Sequence, residues 1–275
     1  MKKWEAIDLC CGLGGWTEGL MAEGFHVVGY DIEEHKYGDE RYPGDLVLED
    51  VLQIHGSRFA HVDLIVASPP CQEYSYMAMP WSLAKAKRAK ILADETGAER
   101  ARLNRIFDAC FRIQREASEA AGRHIPLVVE NVRGAQEWVG KAVAHFGSFY
   151  LWGDVPLPLP DGRKAIKVPG MGWYPPDDPR HKPGQGFNTL ADKQSRRTDI
   201  GKGARFTSRD CGIEKQEGIK QGGDWFNAEQ PSISRLCGPK SPQRKAASAK
   251  IAKIPLTLSR HVALSIIKAS WEYDL

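Results

Sequence analysis

The sequence predicts an α/β protein built on a doubly wound, mostly parallel sheet. Three observations lead there. Short apolar runs rich in β-branched residues alternate with helix-friendly segments through the first 152 of the 275 residues. Most of these runs close on Gly, Pro or an acidic residue. The chemically interesting residues, Asp8 through Gly15, Asp31, Asp50, Cys71 and Glu130, fall at or just after the run ends. Open parallel sheets bind their ligands beyond the carboxyl ends of the strands.

Taken in order, Trp4–Leu9 reads as a buried strand, Gly12–Gly15 as a turn and Trp16–Glu23 as a helix stopped by Gly24. Phe25–Tyr30 is a second strand, ending at Asp31, and Asp45–Glu49 a short third, followed by Asp50. Val62–Ala67 is a strand halted by Ser68-Pro69-Pro70. A long helical region runs from Trp81 to Ala121, with a break near Thr96-Gly97. Pro126–Val129 is the next strand, closing on Glu130-Asn131. Ala135–His145 is expected to be a helix and Ser148–Trp152 a strand. After Gly153, Pro, Gly, Arg, Lys and Trp dominate and periodicity fades, so a loop-rich region is expected. Ala246–Lys253 and Arg260–Trp271 look helical, with Pro255 between them. The expected organisation is a catalytic domain over 1–152, a loop-rich region over 153–245, and a helical segment over 246–275 that packs back on the first domain.

Composition narrows the function classes. Hydrophobic residues at 42% and charged residues at 27% fit a packed domain and argue against global disorder. The first apolar run is too short for a signal sequence, and no stretch nears the ~20 apolar residues of a membrane span. A cytoplasmic protein without membrane contact is expected. The six cysteines contain no C-x-x-C pair and no Cys/His cluster at zinc spacing, so neither a metal nor a disulfide framework is expected. The net charge of +3 is unevenly spread. Residues 1–150 hold 17 Lys and Arg against 22 Asp and Glu, a net −5; residues 151–275 hold 21 against 13, a net +8. A basic second half suits a polyanion partner, although a solvated basic face would look the same.

Asp8-Leu-Cys-Cys-Gly12-Leu-Gly14-Gly15 follows a strand and opens a helix. Glycines let a main chain approach a ligand, and a helix N-terminus favours a carboxylate. Asp31 stands 19 residues after Gly12, placed to accept hydrogen bonds from ribose hydroxyls, and Asp50 is placed to meet an adenine amino group. The form G-x-G-G, against the dinucleotide G-x-G-x-x-G, leans towards S-adenosyl-L-methionine (SAM). A tight structural turn is the bland alternative. Further on, Ser68-Pro-Pro-Cys71-Gln-Glu-Tyr-Ser75 displays a cysteine behind two stiffening prolines. A lone cysteine is more often a small core residue than a nucleophile. Leu127-Val-Val-Glu130-Asn131-Val132 delivers a carboxyl group to the same sheet edge, where a nucleophile and a carboxyl make a chemical pair.

This ordered set, Asp8–Gly15, Pro70-Cys71-Gln72 with Ser75, and Glu130-Asn131-Val132, resembles the DNA cytosine-C5 methyltransferase family over residues 4–152. Aminomethyltransferases of DNA carry an aromatic residue after the two prolines, where this chain has Cys71. The resemblance implies a Rossmann-like SAM-dependent methyltransferase sheet with a small target-recognition region, of compact bacterial or phage type. It implies Cys71 as nucleophile and Glu130 as partner acid. It implies SAM bound by Asp8, Cys10, Gly12, Gly14, Gly15, Trp16, Asp31, Ile32, Asp50, Val51 and Pro70. Double-stranded DNA would be met by Gln72, Ser75, Lys85, Arg88, Arg196, Arg197, Arg205 and Arg209, by a monomer holding no metal. The target cytosine would be flipped out of the duplex.

The chain departs from the family in three places. The family's Gln-x-Arg-x-Arg motif, which holds the cytosine O2, is missing; Gln194-Ser-Arg196-Arg197 and Gln243-Arg244-Lys245 are poor substitutes, and Arg133 is the remaining candidate. The loop after the nucleophile lacks glycine and leads into Lys85, Lys87, Arg88 and Lys90. The late Gly-Asn-Val motif is absent. Three rivals stay open: the same chemistry on RNA, a SAM- or DNA-binding homologue without catalysis, and a dinucleotide oxidoreductase, which the G-x-G-G form disfavours.

Overall fold

A computed structural model describes residues 2–75, 81–160 and 242–273 of the chain. Its strands are β1 Trp4–Leu9, β2 Phe25–Asp31, β3 Asp45–Leu48, β4 Leu64–Ala67, β5 Leu127–Asn131, β6 Ala144–Phe146 and β7 Phe149–Gly153. Its α-helices are α1 Gly15–Ala22, α2 Trp81–Leu92, α3 Ala98–Ala121, α4 Gln136–Val139, α5 Pro242–Ala252 and α6 Leu256–Tyr273. The strands form one seven-stranded sheet in the order β3-β2-β1-β4-β5-β7-β6. β1 to β5 pair in parallel; β7 runs antiparallel to both β5 and β6. This is the doubly wound, mostly parallel α/β sheet that the sequence predicts.

The apolar runs are continuous because both faces of the sheet are covered. Side chains alternate between faces along each strand. On one face, Ile7 and Leu9 of β1, Ile65 and Ala67 of β4, and Leu127 and Val129 of β5 pack with Phe107, Cys110, Ile113 and Ala117 of α3. On the other, Ala6, Val27, Leu64, Val66 and Val128 pack with Trp16 and Leu20 of α1 and with Leu258 and Val262 of α6. Each such fully buried Val, Leu or Ile contributes about 1.5–3 kcal/mol against exposure. α6 seats tightly on α1. A Cβ on Gly15 would overlap the main chain of Ile254, one on Gly19 would overlap Ser259, and the Ser259 hydroxyl donates to the Trp16 carbonyl.

One expected element is absent. The segment 135–145 is not a helix: after a 3-10 turn at Arg133–Ala135 only Gln136–Val139 is α-helical, and Ala144–Phe146 is a strand. Gly140 takes a φ of +99°, its carbonyl accepts the Trp152 indole N–H at 3.0 Å, and Val143 N–H donates to Leu151 O at 2.8 Å. The outer edge of β7 needs hydrogen-bond partners, and that long-range pairing overrides the local helical spacing.

By internal contacts the chain divides into two units, residues 1–162 with 253–275, and residues 163–252. Of the second unit the described part is α5. No described helix is long and apolar enough to cross a membrane. Among the described residues no group of three or more His, Cys, Asp or Glu could hold a metal, and Cys10, Cys11, Cys71 and Cys110 form no disulfide.

Candidate active site at the carboxyl edge of the sheet

Strand order reverses between β1 and β4, which both pair with neighbours on opposite sides. In an open sheet this is where a ligand crevice lies, beyond the carboxyl ends. The glycine turn leaves β1 there and the Ser68–Cys71 turn leaves β4 there. Ser68 N–H donates to Leu9 O at 3.0 Å, and Trp16 Nε1 donates to Ser68 Oγ at 3.0 Å. The two turns are therefore hydrogen-bonded to each other.

The turn after β1 is left-handed at Cys10, at Gly12 (φ +53°) and at Gly14. Gly12 N–H donates to Asp31 Oδ2 at 2.9 Å, and Ile32 N–H donates to Asp31 Oδ1 at 2.8 Å. His35 Nε2 lies 3.6 Å from the same Oδ1. Burial pushes the Asp31 carboxyl up, but the His35 hydrogen bond and the two amides outweigh it and hold it below the usual carboxylate range. A carboxylate kept ionised at a strand end, beside a glycine whose Cβ would meet nothing within 4 Å, leaves room and charge for a ribose diol. The fit to a nucleoside cofactor continues with Ile32, which is 73% exposed, and Leu48, its neighbour across the β2–β3 pairing at Asp31, which is 59% exposed. Large apolar side chains at a strand end suit the face of a nucleobase. Asp50 Oδ1 accepts Leu52 N–H at 3.0 Å, and Val51 is buried.

Other members of the expected cofactor set are closely packed. A Cβ on Gly14 would overlap Pro43, Gly14 N–H is spent on Cys11 O at 2.8 Å, and Gly15 abuts Ile254. Trp16 lies in the core at 1% exposure. Asp8 is fully buried: Thr17 Oγ1 donates to its Oδ2 at 2.8 Å and lies 2.6 Å from the Tyr42 hydroxyl, while Asp8 Oδ1 has no hydrogen-bond partner. Burial pushes the Asp8 carboxyl far above its usual range, and likewise the Cys10 thiol. Asp8 therefore braces the helix start through Thr17.

Cys71 is half-buried, and its carbonyl accepts the N–H groups of Tyr74 and Ser75, both at 3.0 Å. The turn is anchored behind by the Tyr74 hydroxyl, which reaches Leu103 O and Asn104 Oδ1 at 3.1 Å each. Glu130 lies in β5 at 4% exposure, paired with Leu151 of β7. Next to it, the fully buried Asn131 donates from Nδ2 to Pro69 O at 3.0 Å and accepts Val132 N–H at 2.8 Å. That side chain couples the strand of Glu130 to the turn of Cys71. Pro70 and Gln72 are exposed, Ser75 is half-buried, and Arg133 is exposed just past β5.

Lys85 is exposed on α2. Arg88 Nε bonds Glu137 at 2.6 Å, Lys87 bonds Glu73 at 3.0 Å and Lys90 bonds Glu99 at 2.6 Å, so these three cations of α2 are matched by acids. Arg196, Arg197, Arg205 and Arg209, like the poor substitutes at 194–197, lie outside the described residues. Sequence reasoning left Asn131 without a role although it quoted the residue, and it missed His35, whose only signal is its place four residues after Asp31. Ser68 and Tyr42 gave no signal, because their partners lie 52 and 25 residues away.

Residues 4–94 match the family model described as C-5 cytosine-specific DNA methylase. Over that third of the chain, the sequence is similar to this family. The matched stretch carries the glycine turn, Asp31, Asp50 and Cys71, and ends two residues past α2. No curated protein matches the chain. Among solved structures, a DNA modification methyltransferase encoded within an E. coli prophage is 23% identical, covering 48% of this chain and 33% of its own, with a TM-score of 0.31. The S. pombe Dnmt2 methyltransferase is 15% identical, covering 50% and 37%, with a TM-score of 0.30. The Entamoeba histolytica methyltransferase EhMeth is 15% identical, covering 51% and 41%, with a TM-score of 0.31. The chain thus spans between 33% and 41% of the length of these three structures.

Proposed function

We propose that the chain transfers a methyl group to C5 of cytosine in double-stranded DNA, with Cys71 as nucleophile. The observation that carries this reading is the Asn131–Pro69 hydrogen bond, which ties the Cys71 turn to the Glu130 strand at one sheet edge. C5 of cytosine is a weak nucleophile. Addition of the Cys71 thiolate to C6 forms an S–C6 bond and moves the C5–C6 electron pair onto C5. Glu130, at N3 and the exocyclic amine, stabilises the protonated ring. SAM, when bound, supplies the methyl group that C5 takes. Removal of the C5 proton then returns the electron pair to the ring and expels the Cys71 thiolate. Gly12, Asp31, Ile32, Asp50 and Val51 are the residues that would hold SAM. Gln72, Ser75 and the basic second half would meet DNA, and Arg133 is the candidate for the cytosine O2. The cytosine must leave the base stack to reach such a site.

The test is covalent trapping with SAM on duplex DNA carrying 5-fluorocytosine, where fluorine cannot leave as a proton does. Wild type is expected to form a denaturant-stable adduct and Cys71→Ala none. An adduct on 5-fluorocytosine RNA alone would move the substrate to RNA. No adduct on either polymer, with SAM still bound, would leave a binding protein without catalysis.

A further inference from the structure

The segment 50–56, between β3 and the 3-10 turn Gly56–Phe59, contains Asp50, assigned above to the adenine amino group, and Val51, assigned above to the SAM site. It has little regular structure of its own. Leu52 N–H bonds the Asp50 side chain and Gln53 N–H bonds Asp50 O at 2.8 Å. The carbonyls of Val51, Leu52 and Ile54 turn the other way, and all three accept from one side chain. Arg112 of α3 donates from Nη1 to Ile54 O at 2.8 Å, and from Nη2 to Val51 O at 3.2 Å and Leu52 O at 3.5 Å. Arg112 Nη1 also lies 3.0 Å from both oxygens of Glu116, one helical turn on. Glu116 Oε2 in turn accepts Gly56 N–H at 2.6 Å. A Cβ on Gly56 would overlap the Ile113 carbonyl, so the end of the segment rests directly on the main chain of α3. The guanidinium is a planar fork of donors, and a lysine could not serve three carbonyls and a carboxylate at once.

We propose that Arg112 and Glu116 are positioning residues for SAM: they fix the main chain of 51–56 so that Asp50 and Val51 face the adenine ring. This rests on the reading of Asp31, Asp50 and Val51 as the cofactor site. Neither side chain touches that site; both act through backbone that does. α3 is the crossover helix between β4 and β5, and this clamp gives it a role at the cofactor site of the opposite half of the sheet. A ligand-binding group left loose by its support loses affinity steeply, roughly ten-fold or more for a displacement near one ångström.

The experiment measures the dissociation constant of S-adenosylhomocysteine by calorimetry for wild type and for Arg112→Ala, Arg112→Lys, Glu116→Gln and Asp31→Ala, with thermal melting of each. SAM kinetics on duplex DNA are measured beside it. The expected result is binding weakened about ten-fold in Arg112→Ala and less in Arg112→Lys, at temperatures where both remain folded. KM for SAM should rise in step while kcat at saturating SAM and KM for DNA hold, a split that general loss of fold does not produce. Wild-type affinity in Arg112→Ala and Arg112→Lys, with Asp31→Ala weakened, overturns the clamp and keeps the cofactor site. Wild-type affinity in all four overturns both.

Discussion

At the scale of single residues, burial and hydrogen bonding divide two aspartates that look alike in sequence. Asp31 receives two backbone amides and His35, which hold its carboxyl below the usual range; Asp8, buried with one oxygen unpartnered, is pushed well above it. They give opposite dependences of stability on pH. In the unfolded chain Asp8 releases its proton near the usual carboxylate value of about 3.9, whereas the folded chain keeps it to higher pH. Each step of pH above that value therefore lowers stability, until the folded Asp8 itself ionises. Asp8→Asn removes this titration, and its unfolding free energy should fall less steeply with rising pH than that of wild type. Chemical denaturation across the neutral range measures the difference; parallel profiles would show that Asp8 is ionised in the fold. Asp31 works in the other direction: its contribution is present above about 3.9 and is lost as pH falls through the depressed folded value.

At the scale of elements, the edge of the sheet is assembled by contacts between turns. Asn131 reaches from the end of β5 to Pro69, ahead of Cys71. Asn131→Ala would leave a buried carbonyl without a donor, a cost of about 1–3 kcal/mol. A lowered melting temperature and a reduced kcat are expected, with KM for SAM near wild type; unchanged kcat would mean that the Cys71 turn needs no such brace. The glycines of the first turn separate by what their missing Cβ would meet. Gly12→Ala meets open space and carries left-handed strain of about 1–2 kcal/mol. Gly15→Ala meets the Ile254 main chain and carries overpacking of about 1–3 kcal/mol. S-adenosylhomocysteine affinity should fall sharply in the first variant and stay near wild type in the second, although the second is the less stable. Equal affinities would remove Gly12 from the cofactor site.

At the scale of the whole molecule, charge is distributed by sequence region. Residues 151–275 hold 21 Lys and Arg against 13 Asp and Glu, while the described cations of α2 are largely matched by acids. If the basic half neutralises six or more phosphates, affinity for duplex DNA should fall by about 10³ or more between ~50 and ~200 mM salt. Fluorescence anisotropy titrations at stepped salt read the slope. A shallow slope would assign that charge to solvent rather than to the nucleic acid.

The sequence by itself determined the order and kind of nearly every strand and helix in the first half. Apolar runs buried on both faces are unmistakable, and Gly, Pro and acidic residues mark where they stop. It also determined the candidate chemistry, because Gly12, Asp31, Cys71 and Glu130 sit at strand ends where one topology must bring them to one edge. Only the tertiary structure decided what depends on distant partners. The helical spacing of 135–145 yielded to β7, which needed hydrogen bonds along its free side. Gly14, Gly15 and Trp16, read together as cofactor residues, also have close partners from afar: Pro43, Ile254 and Ser68 close on them. Arg112 was one arginine among many until the fold set it against three carbonyls about sixty residues away in sequence. Local pattern records which groups a segment must bury; which distant group satisfies a given carbonyl or fills a given glycine's space is settled when the elements pack.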